Sequence, residues 1–264
     1  MSTTGPTEHS GEFVQSLDRG IAVIRAFTPE HPQLTLSEVA RETGLSRASA
    51  RRFLHTLVDL GYVGTDGRSF QLRPRLLELG YAYLSTLGLP EVARSHLQAL
   101  SDQTGESSSL AVLDDTAIVY VARIAVSRIM SAAIGVGTRL PAFATSMGRV
   151  LIAFAPDSVR EEFLERVELP ALTPHTITDR DALRSELDRV RTQGWALVDQ
   201  ELEEGLRSIA APVRDASGRV VAAVNVAAPA RRETGSGRSE FLDPLLAAAA
   251  GIERDLAQTG VRVR

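Results

Sequence analysis

The sequence predicts an α+β protein in which a small helical domain precedes a larger domain with a mostly antiparallel sheet. Helical periodicities and one hairpin signal fill residues 15–74, whereas strand-like runs separated by turn signals dominate residues 90–264. Charge divides the chain at a similar place. Residues 46–75 carry six arginines and two acidic residues, whereas residues 89–264 carry 20 basic and 24 acidic residues.

The composition excludes several kinds of chemistry. The 264 residues include no cysteine and no lysine, and the five histidines are scattered along the chain. Disulfides, thiol nucleophiles, Schiff bases and thiolate zinc sites are therefore excluded, and we expect neither a cofactor nor a metal site. No apolar run approaches the ~18 residues of a membrane span, and the N-terminus lacks a secretory apolar segment. We therefore expect a cytoplasmic protein that does not contact membranes.

Two helices are predicted after a polar tail. Residues 1–14 are rich in Ser, Thr and Gly, a composition typical of disorder. Apolar residues recur at helical spacing in 16–27 and in 36–44, with Ser16 and Ser37 as the expected N-caps. The sequence GLS then predicts a short turn into a third helix.

The third helix is predicted to run from a cap at Ser46 to about Leu60. Its apolar residues share one face at 100° per residue. They are Ala50, Phe53, Leu54, Leu57 and Leu60. The opposite side carries four residues, namely Ala48, Arg51, Arg52 and His55. This arrangement predicts helix-turn-helix geometry, in which the third helix is free to enter a major groove.

A β hairpin is predicted after the third helix. Two short strand-like runs flank Asp66-Gly67, which is a strong signal for a two-residue hairpin turn. Such a hairpin would form a wing with Arg68 at its tip. Residues 15–74 therefore predict a winged helix-turn-helix domain.

The local positive charge predicts that this domain binds double-stranded DNA. Phosphates supply most of the affinity in such complexes, and base edges are read for sequence. We expect phosphate contacts from Ser46, Arg47, Arg51 and Arg68, and base-edge contacts from Ala48, Ser49, Arg52 and His55. The alternative is a solvated arginine face on an ordinary three-helix domain. DNA binding is favoured because the cap, the GLS turn, the apolar stripe and the hairpin occur together.

Residues 75–89 predict a linker helix with one apolar side. That side could pack on its own domain or on a second copy of the chain. We favour the second copy because one winged helix covers only half of a palindromic operator. The sequence therefore predicts a homodimer.

Residues 90–264 predict the α+β domain. The expected helices are 90–104, 151–155, 157–167, 179–194 with Thr178 as cap, and about 239–258. The expected strands lie in 107–124, 127–137, 195–202, 207–215 and 219–229. The domain shows no nucleophile–base pair. Its small polar and apolar residues suit a closed small-molecule pocket.

Several segments carry a resemblance to a known family. They are GLSRASARRFLHTLVDLGYV (44–63), GTRLPAFATSMGRVLIA (137–153) and GWALVDQELEEGLRSIAAPVRDASGRVVAAVNVAAP (194–229). Through them, the chain resembles the IclR family of bacterial transcription regulators over nearly its full length. The runs PRLLELGYAYLSTLGLP, IVYVARI and ATSMGRVL are more specifically similar to the branch that regulates aromatic-acid breakdown through protocatechuate and β-ketoadipate.

The resemblance implies a GAF/profilin-like effector-binding domain. It also implies dimers joined through the DNA-binding domains and linker helices, and often dimers of dimers. The implied pocket for a small organic acid is lined by Ile129, Thr145, Ser146, Met147, Asp199, Ser208, Asn225 and Ala227. Three arginines are candidate charge partners for a carboxylate, namely Arg123, Arg139 and Arg207.

These observations together predict a ligand-responsive, DNA-binding transcriptional regulator of aromatic-acid catabolism that is not an enzyme. The alternatives are a small-molecule enzyme with an N-terminal interaction module, a regulator of an unrelated carbon-source pathway, and an architectural DNA binder without a ligand. The acidic cluster Glu201, Glu203 and Glu204 is expected to be solvated or at an interface rather than catalytic.

Overall fold

The computed structural model describes residues 13–126, 134–230 and 238–259. The chain divides into two compact units, Met1–Tyr83 and Leu84–Arg264. Most of the predicted tail, most of the predicted strand 127–137, and the candidate pocket residue Ile129 lie outside the described residues. Within the described ranges, no helix combines the length and apolar character that crossing a membrane requires.

The N-terminal unit packs three helices against a small antiparallel sheet. Its helices are α1 (Gln15–Arg25), α2 (Leu36–Thr43) and α3 (Arg47–Asp59), and its strands are β1 (Gln33–Thr35), β2 (Val63–Thr65) and β3 (Ser69–Leu72). The central strand β3 pairs with β2 as a hairpin and with β1 on its other side. Apolar side chains from all three helices and the sheet form one core. The predicted winged helix-turn-helix fold is confirmed.

The predicted caps of the first two helices are wrong. Val14 occupies the cap position of α1, so Ser16 lies inside that helix. The cap of α2 is Thr35 rather than Ser37, because Thr35 and Glu38 form a reciprocal capping box. In it, the Thr35 hydroxyl accepts from the Glu38 N–H at 3.4 Å, and the Glu38 carboxylate accepts from the Thr35 N–H at 2.7 Å.

The buried face of α3 is confirmed except at its end. Ala50, Leu54 and Leu57 are buried, and Phe53 is half-buried. Leu60 is 51% exposed, contrary to the prediction. It is the C-cap of α3 and forms the last position of the apolar stripe.

The segment after the wing is helical, as predicted for the linker. A 3₁₀ turn over Pro74–Leu76 leads into α4 (Leu77–Leu87). Gly88, whose φ is +58°, separates α4 from α5 (Leu89–Thr104). Several large apolar side chains of α4 are exposed in the single chain, namely Leu77, Leu79, Tyr81 and Tyr83.

The C-terminal unit contains an antiparallel sheet in the order β6-β5-β4-β9-β8-β7. The strands are β4 (Ser107–Asp114), β5 (Ala117–Ile124), β6 (Arg139–Pro141), β7 (Ala196–Asp199), β8 (Leu206–Arg214) and β9 (Val220–Pro229). Helix α5 and α9 (Arg238–Thr259) cover one face of this sheet. The other face is covered by α6 (Ser146–Ala153), α7 (Asp157–Arg166) and α8 (Arg180–Gln193). The predicted α+β class with an antiparallel sheet is confirmed.

Two predicted boundaries in this unit are wrong. Helix α6 begins at Ser146, five residues before the expected start at Leu151, because Thr145 caps it. The cap of α8 is Asp179 rather than Thr178, since the Asp179 carboxylate accepts from the backbone N–H of Ala182 at 2.8 Å.

A bulge in β5 changes which residues share a face of the sheet. The register of β4 against β5 shifts between Leu110 and Ala111, and Val121 of β5 is left as the extra residue. Strict alternation would place Tyr120 and Arg123 on opposite faces, because they are three residues apart. The bulge brings both to the side that α6 covers.

Candidate functional site

The first candidate surface is the exposed side of α3. Arg47, Arg51 and Arg52 are exposed, and none of their side chains forms a hydrogen bond or ion pair with the part of the chain that the structure describes. Ala48 and His55 are exposed beside them. The first turn of α3 contains no acidic residue. Three positive side chains therefore face solvent without local neutralisation.

The start of α3 adds to this positive character. Ser46 caps the helix, because its hydroxyl oxygen accepts from the backbone N–H of Ser49 at 3.2 Å. The Ser46 hydroxyl also donates to the Ser49 hydroxyl oxygen at 3.0 Å. The partial positive charge of a helix N-terminus favours anions. Ser46 and Ser49 thus have a structural role at the helix start, and their contacts to DNA stay a prediction.

The wing turn is centred one residue later than the sequence predicts. Strand pairing makes Gly67 and Arg68 the two central residues, and Gly67 has a φ of +91°. The Asp66 carboxylate closes the turn by accepting from the backbone N–H groups of Arg68 at 2.8 Å and Ser69 at 2.7 Å. These hydrogen bonds, first of all that from Ser69, lower the pKa of Asp66 to about 2. The Arg68 side chain is exposed at the tip, as expected.

Another arginine of this unit is bound to its own domain. Arg75 donates from Nη1 to the carbonyl oxygen of Leu60 at 3.2 Å and from Nε to Glu78 at 3.3 Å. Its guanidinium carbon also lies 5.7 Å from the centre of the Tyr62 ring. Arg75 therefore joins the start of the linker to the end of α3.

The second candidate site is a cavity on the α6 side of the large sheet. It leaves about 30 Å³ of free space between its lining side chains. Six of the eight pocket residues implied by the resemblance line the cavity, namely Thr145, Ser146, Met147, Ser208, Asn225 and Ala227.

Among the described members of the implied set, Asp199 is the one that does not line the cavity. It follows Val198, which lines the cavity, and alternation along β7 turns its side chain to the other face. Its Oδ2 accepts from Arg207 Nη2 at 2.7 Å. Asp199 is therefore an ion-pair partner beside the cavity and not part of the lining.

The first turn of α6 forms one wall. Thr145 caps the helix by accepting from the Gly148 N–H at 3.2 Å, and the hydroxyls of Ser146 and Ser208 lie 2.9 Å apart. Gly148 permits a close approach, because a Cβ there would lie 2.1 Å from the carbonyl oxygen of Ala142. This glycine therefore sets the position of the helix start against the sheet.

The cavity also has walls that sequence reasoning missed. They are Ser107, Tyr120, Ile134, Ala144, Val198, Leu202 and Leu206. Most are apolar, and their types and spacing do not differ from those of ordinary core residues. Burial raises the pKa of Tyr120 to about 12, so its hydroxyl remains protonated near neutral pH.

The three candidate arginines differ in their partners. Arg139 pairs with the Asp114 carboxylate, and Arg207 pairs with Asp199. Arg123 lines the cavity and donates from Nη1 to the Ser109 hydroxyl oxygen at 3.2 Å. Among the described residues, it forms no ion pair with a carboxylate.

Glu201 contradicts the prediction that its acidic cluster is solvated. Its side chain is buried in a two-pronged ion pair with Arg149, in which Nη1 lies 2.7 Å from Oε1. The same carboxylate accepts from the Ile177 N–H at 3.1 Å, and Arg149 Nε donates to the Phe143 carbonyl oxygen at 3.0 Å. The pair thus joins α6 to the segment after β7. The position of Arg149 within the apolar run SMGRVLIA was the one sequence signal for a buried ion pair.

The comparisons with protein families cover both units. The description "IclR helix-turn-helix domain" matches residues 16–67. The description "Bacterial transcriptional regulator IclR C-terminal" matches residues 81–254, which is well over half of the chain. The first match contains the exposed side of α3, and the second contains the cavity.

Individual relatives agree with these matches. The chain is 46% identical to the Pca regulon regulatory protein of Pseudomonas putida, over 93% of this chain and 84% of that protein. It is 38% identical to the p-hydroxybenzoate hydroxylase transcriptional activator of Acinetobacter baylyi, over 93% and 92%.

Solved structures show the same fold. A transcriptional regulator from Rhodococcus sp. RHA1 matches with a TM-score of 0.83 and 54% identity, over 94% of this chain and all of that chain. An IclR homolog from Microbacterium hydrocarbonoxydans, complexed with 4-hydroxybenzoate, matches with a TM-score of 0.80 and 31% identity, over 91% and 98%. With both units matched, the chain belongs to the IclR family of transcriptional regulators.

Proposed function

We propose that this protein is a ligand-responsive, DNA-binding regulator of genes for aromatic-acid breakdown through protocatechuate and β-ketoadipate. The observation that carries the proposal is the cavity of the C-terminal unit, which gathers six residues implied by the family resemblance. The pathway is supported by the likeness to a Pca regulon regulator and to an activator of p-hydroxybenzoate hydroxylase. The homolog bound to 4-hydroxybenzoate supports an aromatic acid as the ligand class.

The DNA-binding part of the proposal rests on the unneutralised side of α3. Arg47, Arg51 and the wing residue Arg68 would contact phosphates, with Ser46 at the helix start. Arg52 would pair with a guanine edge, since a guanidinium matches its two acceptors. Ala48, Ser49 and His55 would complete the base-edge contacts.

The proposed active form is a homodimer on a palindromic operator. One winged helix reads only a half-site, so two copies are needed for a full operator. The exposed apolar side chains of α4, and those of Leu17 and Ile21 on α1, are apolar area that a second copy would cover. A dimer of dimers is the higher state to test by light scattering.

Effector binding would act by favouring one arrangement of the dimer over another. A ligand shifts such an equilibrium only as far as its affinities for the two states differ. The linker helices would convert that shift into a change in spacing between the two winged helices. The protein would thus act in the cytoplasm, where its DNA is.

We propose no catalytic activity for the cavity. Its two facing hydroxyls, Ser146 and Ser208, contact each other, and the described lining residues include neither a histidine nor a carboxylate that could serve as their base. Turnover of an aromatic acid by the purified protein would contradict this part of the proposal.

The test is operator binding by the purified full-length protein, measured by fluorescence anisotropy with DNA from upstream of aromatic-catabolism genes. With about three to five phosphate contacts per half-site, affinity should fall by about 10³–10⁵ between 50 and 200 mM salt. Protocatechuate, 4-hydroxybenzoate or β-ketoadipate should change the affinity at constant salt. A response only to sugar acids would assign the protein to another pathway, and no response to any metabolite would indicate an architectural binder.

A further inference from the structure

We propose that Arg123 binds the carboxylate of the effector and so selects an anionic ligand over a neutral one of the same shape. The proposal deepens the function proposed above and rests on it. None of the family's implied pocket residues is a cation, so the inference adds a specificity-determining residue to the site.

The ion pairs of the neighbouring arginines single out Arg123. The carboxylates of Asp114 and Asp199 already neutralise Arg139 and Arg207. Among the described residues, Arg123 donates only to the neutral hydroxyl of Ser109, and its buried Nε has no hydrogen-bond partner. A partly buried cation with an unused N–H group is unfavourable unless a further acceptor reaches it. The cavity that Arg123 lines is the place from which such an acceptor can arrive.

The β5 bulge makes this placement a specific feature of the fold. If the strand ran through Val121 with regular alternation and no bulge, Arg123 would lie opposite Tyr120, on the face that α5 and α9 cover. The guanidinium is therefore brought to the cavity by a local departure from regular strand geometry. Bulges recur beside functional sites because they redirect a side chain in this way.

The surroundings of Arg123 strengthen its electrostatic effect. Desolvation lowers the pKa of Arg123 and raises that of the nearby Tyr120 to about 12, so the charge lies in a poorly hydrated environment. Interactions between charges are stronger there than in water. A carboxylate could accept two parallel N–H groups from the guanidinium, and hydrogen bonds to charged groups contribute about 1.5–3 kcal/mol.

A second unpaired polar atom points to the rest of the ligand. In the strand register, Ser109 of β4 lies opposite Arg123 on one side and opposite Asn225 of β9 on the other. Asn225 is 4% exposed, and its Oδ1 is buried without a hydrogen-bond partner. The Arg123 cation and the free Asn225 acceptor thus lie in the same row across the sheet, beside the apolar walls Val198 and Leu206. This arrangement suits a carboxylic acid that also carries a hydroxyl group.

The test compares 4-hydroxybenzoate with 4-hydroxybenzamide, which has nearly the same shape and no charge. Calorimetric titration of the full-length protein should give about 10- to 100-fold tighter binding of the acid. The Arg123→Gln variant should lose that preference and bind both compounds with similar, weak affinity. The Arg123→Lys variant should keep the preference with reduced affinity, because it keeps the charge but not the planar fork. The matched control Arg139→Gln should behave like the wild type.

The outcomes separate this inference from the proposed function. Binding of aromatic acids with an unchanged acid preference in Arg123→Gln would overturn the role of Arg123 and leave the regulator proposal standing. Equal binding of the acid and the amide by the wild-type protein would also overturn the role of Arg123. This outcome does not depend on whether any variant folds. A wild-type protein that binds no aromatic acid would overturn both proposals.

Discussion

Arginine supplies every basic side chain of this protein, and the two units use it in different ways. On α3 of the N-terminal unit, Arg47, Arg51 and Arg52 are exposed and have no ion-pair partner among the described residues. The C-terminal unit pairs most of its described arginines with carboxylates. These are Arg139, Arg149, Arg160, Arg166, Arg184, Arg189, Arg191, Arg207, Arg214 and Arg219.

The difference teaches that the partner of an arginine, more than its position in the sequence, indicates its role. A neutralised guanidinium holds elements of the fold together, whereas an unneutralised one can attract a ligand with negative charge. Arg123 is informative because it lies in the unit of paired arginines and has no carboxylate partner in the described ranges. Substitutions should therefore affect either stability or binding, according to whether the arginine is paired.

The largest expected effect on stability comes from breaking the buried pair between Arg149 and Glu201. The Glu201→Ala substitution would remove the two-pronged partner of a cation that is 1% exposed and leave it only the longer contact to the Glu186 carboxylate, at 3.6 Å. Breaking a buried ion pair costs up to about 3–5 kcal/mol of unfolding free energy. Trp195, the single tryptophan of the chain, is buried in the C-terminal unit, so its fluorescence during urea unfolding reports on that unit. The exposed neighbour Glu204 provides the control, and Glu204→Ala should change the unfolding free energy by less than about 0.5 kcal/mol. Equal losses of unfolding free energy in Glu201→Ala and Glu204→Ala would contradict the stabilising role of the buried pair.

The next effect should appear in binding and not in stability. Replacing Arg52 by alanine should weaken operator binding by about 1–3 kcal/mol, since a two-pronged contact to guanine is lost. The unfolding free energy should stay within about 0.5 kcal/mol of the wild type, because no intramolecular partner is lost. Anisotropy with labelled operator DNA measures the first quantity and urea unfolding the second. The control variant Arg25→Ala, at an exposed arginine of α1, should leave both the operator affinity and the unfolding free energy unchanged. Full operator affinity in Arg52→Ala would place the recognition surface elsewhere.

Local patterns in the sequence were enough to predict the DNA-binding unit. The apolar stripe of α3 and the hairpin signal at Asp66-Gly67 each depend on neighbours within a few residues, so periodicity and turn chemistry reveal them. The errors there are small and also local, such as the capping box at Thr35 and Glu38, whose T-x-x-E pattern was present but not used. The strand β1 escaped prediction because three residues are too few to show alternation.

The cavity could be predicted only in part, because its geometry depends on distant segments. Arg149 and Glu201 are 52 positions apart, and their pairing needs the packing of α6 against the segment after β7. The role of Arg123 depends on a register shift, and a strand sequence read with strict alternation assigns it to the wrong face. The apolar walls are the same residue types as the core, so only coordinates separate Leu206 in a wall from a leucine in the interior.

The smallest effect on stability should come from the exposed pair between Arg139 and Asp114. It shows how little a paired arginine contributes when the pair is not buried. Both side chains are about half exposed, at 49% and 59%. Water and salt screen such a pair, so Arg139→Gln should cost at most about 1 kcal/mol of unfolding free energy, and less in high salt. Tryptophan fluorescence in urea at two salt concentrations measures both quantities. A loss comparable with that of Glu201→Ala would show that pairing alone, without burial, sets the contribution of an arginine in this unit. The expected small loss means that burial decides how much a paired arginine stabilises the fold.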